Sequence, residues 1–197
     1  MPDLEIENRY KDNIIAGVDE AGRGPLAGPV VAAAVIVDQK NIIDGINDSK
    51  KLSKKRREYL YDQITSGYLW SVGIIEVDEI DRINILEATK KACVLAVKSL
   101  DISPSIVLID GNMCFADKRF CSIIKGDDKS ISIAAASIIA KVTRDRIMQE
   151  LSKECPDYKW DRNSGYGTKE HINAILQNGY TSYHRKTFKV KKLITRK

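Results

Sequence analysis

Two residues after Pro104 comes Ile106-Val107-Leu108-Ile109, an unbroken apolar run that stops at Asp110-Gly111. A strand without polar alternation leaves neither face to water, so it belongs at the centre of a sheet covered on both sides. The rest of the chain supplies the partners. Residues 14–18 and 30–37 are apolar and β-rich, and the Gly/Pro cluster Gly22-Arg23-Gly24-Pro25 between them predicts two strands around a special loop. Ser53 is placed to cap a helix over 54–64, and residues 70–77 read as another strand. Ile85, Leu86, Thr89, Ala92, Cys93, Ala96 and Leu100 fall on one face of an amphipathic helix. A short strand is expected around Ile123-Ile124, then a helix over 134–148 whose small-residue start allows close packing. Thr168 opens a last helix to about Gln177, and Gly179 stops it. Strands alternating with helices predict an α/β fold.

No apolar run approaches the roughly 18 residues needed to span a membrane. The longest, residues 30–37, has 8. Residues 1–13 are polar and mixed in charge, unlike a signal peptide, so a cytoplasmic protein is expected. The four cysteines form no CxxC or Cys/His cluster, which argues against structural zinc and a disulfide framework. Lys and Arg outnumber Asp and Glu by 32 to 27, a surplus that suits a polyanionic partner without requiring one. Residues 184–197 carry seven basic residues and no acidic one. With no repeat and no long linker, residues 1–197 are expected to form one unit, a catalytic core over about 14–155 and a C-terminal part over 156–197.

Acidic groups stand where strands end: Asp19-Glu20, Asp110 and Asp127-Asp128. Gathered carboxylates repel one another unless a cation offsets them, and hard divalent ions prefer oxygen ligands. Two such ions can activate a water and stabilise the leaving oxygen of a phosphoryl displacement, so phosphodiester hydrolysis is the chemistry indicated. Each group also has a plainer reading. Asp110-Gly111 is ordinary turn chemistry, and Asp127 or Asp128 could cap the following helix. A metal-free ribonuclease would need a general base and acid, usually histidines; this chain has only His171 and His184, both among polar neighbours. No cysteine has an activating context.

The stretch Val18-Asp19-Glu20-Ala21-Gly22-Arg23-Gly24-Pro25-Leu26-Ala27-Gly28-Pro29 resembles the signature of the type 2 ribonucleases H, the family of bacterial ribonuclease HII. The resemblance continues through Asp48-Ser49-Lys50-Lys51-Leu52-Ser53, Ile109-Asp110-Gly111-Asn112, Lys125-Gly126-Asp127, Ala135-Ala136-Ser137-Ile138, Ala140-Lys141-Val142, Gly165-Tyr166-Gly167-Thr168 and His184-Arg185. These blocks keep the family's order over about residues 14–188.

The resemblance implies a ribonuclease H-like fold: a mixed central sheet flanked by helices, with a small C-terminal helical part that helps hold the duplex. It assigns the catalytic, metal-holding carboxylates to Asp19, Glu20, Asp110 and Asp127, with Mg²⁺ or Mn²⁺ as cofactor and two ions expected once substrate is bound. It gives Gly22, Arg23 and Gly24 the task of reading a 2′-hydroxyl, the group that separates RNA from DNA. Tyr166 would stack on the sugar of the next nucleotide and favour deoxyribose. Lys50, Ser137 and Lys141 become phosphate contacts, with Lys51 equally suited to a solvated face. The implied substrates are RNA–DNA hybrids and duplex DNA containing single ribonucleotides, cut on the 5′ side to leave 3′-hydroxyl and 5′-phosphate ends, by a monomer with no membrane partner. The chain departs from many relatives in having Asn163-Ser164 where they have His-Lys, with Arg162 as the nearest basic residue. The type 3 ribonucleases H share the fold but carry an N-terminal substrate-binding domain; the 18 residues ahead of Asp19 favour type 2.

Overall fold

The computed structural model describes residues 1–10 and 12–188, so the basic positions of the tail from 189 onward lie outside the described residues. Five strands form one mixed sheet: β1 (Ile15–Ala21), β2 (Val30–Ile36), β3 (Leu69–Ile75), β4 (Ile106–Asp110) and β5 (Phe120–Ile123). Their spatial order is β3-β2-β1-β4-β5. β1–β2 and β2–β3 pair antiparallel, while β4 joins β1 and β5 in parallel. The apolar run is indeed interior, with Val107, Leu108 and Ile109 fully buried.

Strand alternation divides the core into two layers. Val18, Ala32, Ala34, Val107 and Ile109 pack with Ala88, Ala92, Cys93 and Ala96 of α3 (Ile85–Lys98). On the other face Ala33 and Val35 meet Leu60 and Ile64 of α1 (Lys54–Gly67) and the small-residue start of α4 (Ile131–Glu154). On this face the sheet and α4 come very close at Gly17 of β1. A Cβ there would lie 2.1 Å from the Ser132 carbonyl carbon and 2.3 Å from the Ile133 nitrogen. Both obstacles are backbone, so Gly17→Ala cannot be absorbed by a side-chain rotation; we expect it to cost about 3 kcal/mol, read as a lower urea midpoint.

Several boundaries differ from expectation. Residues 70–77 do not form one strand: β3 ends at Ile75, and α2 (Val77–Ile83) starts immediately, with Asp78 and Glu79 favouring its N-terminal turn. Asn84 separates α2 from α3 at a φ of 69° and caps α3 by accepting from the Leu86 and Glu87 amides. β5 lies at Phe120–Ile123 rather than over Ile123-Ile124, and Ile124 is exposed. α4 extends beyond 134–148 at both ends, starting after Ser130, whose hydroxyl accepts from the Ile133 amide. Ser53 and Thr168 cap α1 and α6 (Lys169–Asn178) as expected, and Gly179 ends α6. A short helix α5 (Trp160–Asn163) precedes the Gly165-Tyr166-Gly167 loop, and a third apolar cluster joins Ala27, Met148, Tyr158, Trp160 and Ile175.

Candidate active site

β1 runs through the acidic pair instead of stopping before it, so Asp19 and Glu20 project from opposite faces of the strand. Asp19 lies opposite Ala33 on the α4 side, while Glu20 lies opposite Ala32 on the α3 side. Val18 pairs with Ile109, so extending the parallel register by one residue sets Asp110 beside Asp19. Asp127 comes from a 3₁₀ turn (Gly126–Asp128) just ahead of α4. Asp110 draws that turn in, its Oδ1 accepting from the Gly126 amide at 2.7 Å. A Cβ at 126 would lie 2.5 Å from Ile133 Cδ1, so a side chain there would require Ile133 to shift.

One carboxylate oxygen each from Asp19, Asp110 and Asp127 lies within 4.8 Å of the others. Asp128 is not part of this group; it faces outward and pairs with Lys51. Glu20 approaches from the other face: its Oε1 accepts from Arg23 Nη1 at 3.3 Å, while its buried Oε2 has no partner among the described residues. Burial, then the neighbouring Glu20 and Asp110 charges, hold the Asp19 carboxyl well above the ordinary aspartate range. Burial also raises Glu20, with Arg23 opposing and Asp110 adding to the shift. Asp127 is raised by burial and then by Asp110. Burial works against the charge on Lys50, yet Asp19 and Asp127 together lift its ammonium above the usual lysine value; its Nζ stands 3.3 Å from Asp127 Oδ2.

An all-oxygen donor set with unfavourable mutual charge and one orphaned buried oxygen fits a hard divalent cation. All eleven residues expected from the sequence except Asp127 line one cavity of about 290 Å³: Asp19, Glu20, Gly22, Arg23, Gly24, Lys50, Asp110, Ser137, Lys141 and Tyr166. Asp127 joins it through the carboxylate group. Gly24 lies against Tyr166, since a Cβ at 24 would be 3.5 Å from the ring. All three expected phosphate contacts already have protein partners, Lys50 being the one beside Asp127. The Ser137 hydroxyl accepts from the Ser49 amide and donates to the Ala134 carbonyl, and Lys141 pairs with Asp145 at 2.7 Å. Ser137 therefore fastens the turn that carries Lys50.

Sequence reasoning gives no role to two fully buried arginines behind the glycine loop, Arg144 and the Arg185 of the His184-Arg185 block. Arg144 of α4 donates to the carbonyls of Pro29, Ala27 and Ser164 at 2.9, 3.1 and 3.0 Å. Arg185 donates to those of Gly22, Arg23 and Gly28, at 2.6–3.2 Å. Burial lowers the Arg144 pKa to about 10; burial and then the charge on Arg144 lower Arg185 to about 9, so both remain cations at neutral pH. A signal for Arg144 was available: it follows Ala136 and Ala140 at helical spacing of four, on the face α4 buries. The histidines also differ from expectation. Polar neighbours in sequence suggest a solvated setting, yet His171 and His184 are fully buried, packed among Tyr158 and Trp160. Arg162, the basic residue nearest Asn163-Ser164, is exposed and does not line the carboxylate cavity. The four cysteines are free thiols, and burial pushes Cys93 well above its ordinary pKa.

The family model for ribonuclease HII matches residues 16–191. A ribonuclease HII of Rickettsia bellii is 69% identical over 185 residues, covering 94% of both chains. One from Rickettsia canadensis is 66% identical over 186 residues, covering 94% of this chain and 95% of that one. The crystal structure of ribonuclease H2 from Pyrococcus horikoshii superposes with a TM-score of 0.76 at 30% identity, covering 91% and 96% of the two chains. With its mixed sheet, its gathered carboxylates and this similarity along nearly its whole length, the chain belongs to the ribonuclease HII family of metal-dependent ribonucleases.

Proposed function

We propose that this chain incises the RNA strand of RNA–DNA hybrids and duplex DNA at single embedded ribonucleotides, cutting on their 5′ side to leave 3′-hydroxyl and 5′-phosphate ends. The observation that carries the proposal is the adjacency of the Asp19, Asp110 and Asp127 carboxylates to the Gly22-Arg23-Gly24 loop within one cavity. Asp19, Glu20, Asp110 and Asp127 would hold Mg²⁺ or Mn²⁺, two ions when substrate is bound. Such ions supply Lewis acidity, polarising a phosphoryl oxygen and making water nucleophilic at neutral pH.

The protein groups do the rest. Lys50, mostly exposed at its tip beside Asp127, presents a mobile cation to the phosphate backbone. Gly22 sits at a φ of +100°, and a Cβ there would strike Arg144 Nε at 2.2 Å, so the loop's bare backbone stays available to a ribose. Arg23, anchored on Glu20, links ribose reading to the acidic centre. Tyr166, half exposed beside Gly24, offers the next sugar a flat apolar face. The core over 14–155 would carry the chemistry and the C-terminal part would hold the duplex, in a monomer serving removal of misincorporated ribonucleotides in the cytoplasm. Among the described residues no helix is long and apolar enough to cross a membrane.

A DNA duplex containing one ribonucleotide, incubated with and without Mg²⁺ or Mn²⁺, tests the proposal. Incision 5′ of the ribonucleotide only with metal is the expected result; no incision with either ion overturns it. Arg23→Ala should reduce the preference for ribonucleotide-containing over all-DNA duplex about tenfold, the scale of one lost charge-assisted hydrogen bond, while leaving the metal requirement intact.

A further inference from the structure

Behind the cavity, the buried histidines form a chain of hydrogen bonds whose proton positions are fixed by their partners. The Thr181 amide, which can only donate, reaches His184 Nδ1 at 2.9 Å. That nitrogen is therefore an acceptor, and neutral His184 carries its proton on Nε2. Trp160 Nε1–H, also a donor only, reaches His171 Nε2 at 3.0 Å, and His184 Nε2 lies 3.1 Å from the same atom. His171 Nε2 is thus the acceptor, its single lone pair shared between the two donors, which leaves the His171 proton on Nδ1. There it is aimed at the Tyr166 carbonyl, 3.0 Å away.

Burial, and then the nearness of His171, lower the His184 pKa to about 4, while burial lowers His171, so both rings stay neutral at physiological pH. The other end of the chain grips the glycine loop. His184 forms a β-bridge with Ala27, the next residue's amide donates to the Leu26 carbonyl, and the Gly28 amide donates to the Tyr183 carbonyl.

From this geometry we infer that His171, oriented by His184 and Trp160, is a positioning residue that fixes Tyr166 against the Gly22-Arg23-Gly24 loop and thereby sets how strongly the enzyme favours a deoxyribose after the ribonucleotide. The inference rests on the reading of Tyr166 and the loop given under Proposed function. His171 lies behind the Tyr166 backbone and acts through Tyr166, not on the substrate.

The two ring nitrogens can be separated by substitution. His171→Asn places an amide N–H near the Nδ1 position and keeps the bond to the Tyr166 carbonyl. His171→Gln places an acceptor near the Nε2 position, keeping Trp160 and His184 satisfied, and loses that bond. The quantity read is the ratio of kcat/KM on a DNA duplex with one embedded ribonucleotide to kcat/KM on a continuous RNA–DNA hybrid of the same sequence. We expect His171→Gln to lower the ratio about tenfold, His171→Asn to hold it within about twofold, and Tyr166→Ala to erase the difference between them. Far-UV circular dichroism and the melting midpoint report folding in each case. His184→Asn keeps an acceptor for the Thr181 amide but loses the donor to His171, and should lower the ratio too; it stands in if His171→Gln does not fold. Equal ratios for folded Gln and Asn variants, or a tenfold difference that persists with Tyr166→Ala, overturn the inference. A wild-type protein that cuts neither substrate overturns the proposed function instead.

Discussion

Asp110→Asn should lower kcat/KM for incision by about 10³-fold, the scale of several kcal/mol of lost charge stabilisation, without unfolding the protein. The substitution keeps the shape of the side chain and the Oδ1 that accepts from the Gly126 amide, so the turn carrying Asp127 stays in place. It removes one negative charge from a group in which Asp19 and Asp127 are both pushed toward their protonated forms. The metal-free variant should therefore melt at or slightly above the wild-type temperature. Mg²⁺ or Mn²⁺ should stabilise the wild type more than the variant, as expected for a ligand that binds only the folded state. Duplex binding, which the proposed function assigns to Lys50 and its basic neighbours, should change little. Incision within tenfold of wild type would remove Asp110 from the catalytic group, and a collapse of the melting midpoint would return it to a structural role.

Arg185→Met should have the largest effect on stability of any change near the site, about 3–5 kcal/mol, although Arg185 forms no ion pair with a carboxylate among the described residues. Its guanidinium serves the carbonyls of Gly22, Arg23 and Gly28, and an apolar side chain of similar length leaves them buried and unpaired. The melting temperature should fall by roughly 10 °C. Arg185→Lys restores a charge but not the planar fork that reaches several carbonyls together, so it should recover less than half of the loss. A variant melting within about 2 °C of wild type would mean that water satisfies the loop carbonyls.

The strands were legible because their apolar runs, 14–18, 30–37 and 106–109, are periodic or continuous enough to exclude other readings. The acidic centre was legible as a set of residues but not as an arrangement. Asp19 and Glu20 read from the sequence as a pair at a strand end; extending β1 to Ala21 puts them on opposite faces of the strand, with Glu20 paired to Arg23. α2 was hidden because Val77 continues the apolar pattern of β3 and only Glu76, the extended residue that precedes α2, separates them. The histidines were misread because their burial comes from contacts distant in sequence: Trp160 packs on both, and His184 reaches back to Ala27. Local polarity says nothing of such contacts. Arg185 escaped for the same reason, since its three carbonyl partners lie about 160 positions earlier in the chain.

Along α4, the turn bearing Asp127 precedes the first residue, Ser137 and Lys141 reach the cavity, Arg144 holds the glycine loop and Met148 lies beneath Gly28. One added or deleted residue within this helix would rotate everything beyond it by about 100° and shift it by about 1.5 Å. Arg144 would then point away from Pro29, and the loop would lose its register with the carboxylates. The spacing from Asp127 to Arg144 should hence admit no length change among working homologues. The connection between β2 and α1, over residues 37–53, has no such duty at its exposed positions 38–40, ahead of Ile42 and Ile43, which pack on the core, and is where insertions and deletions should accumulate.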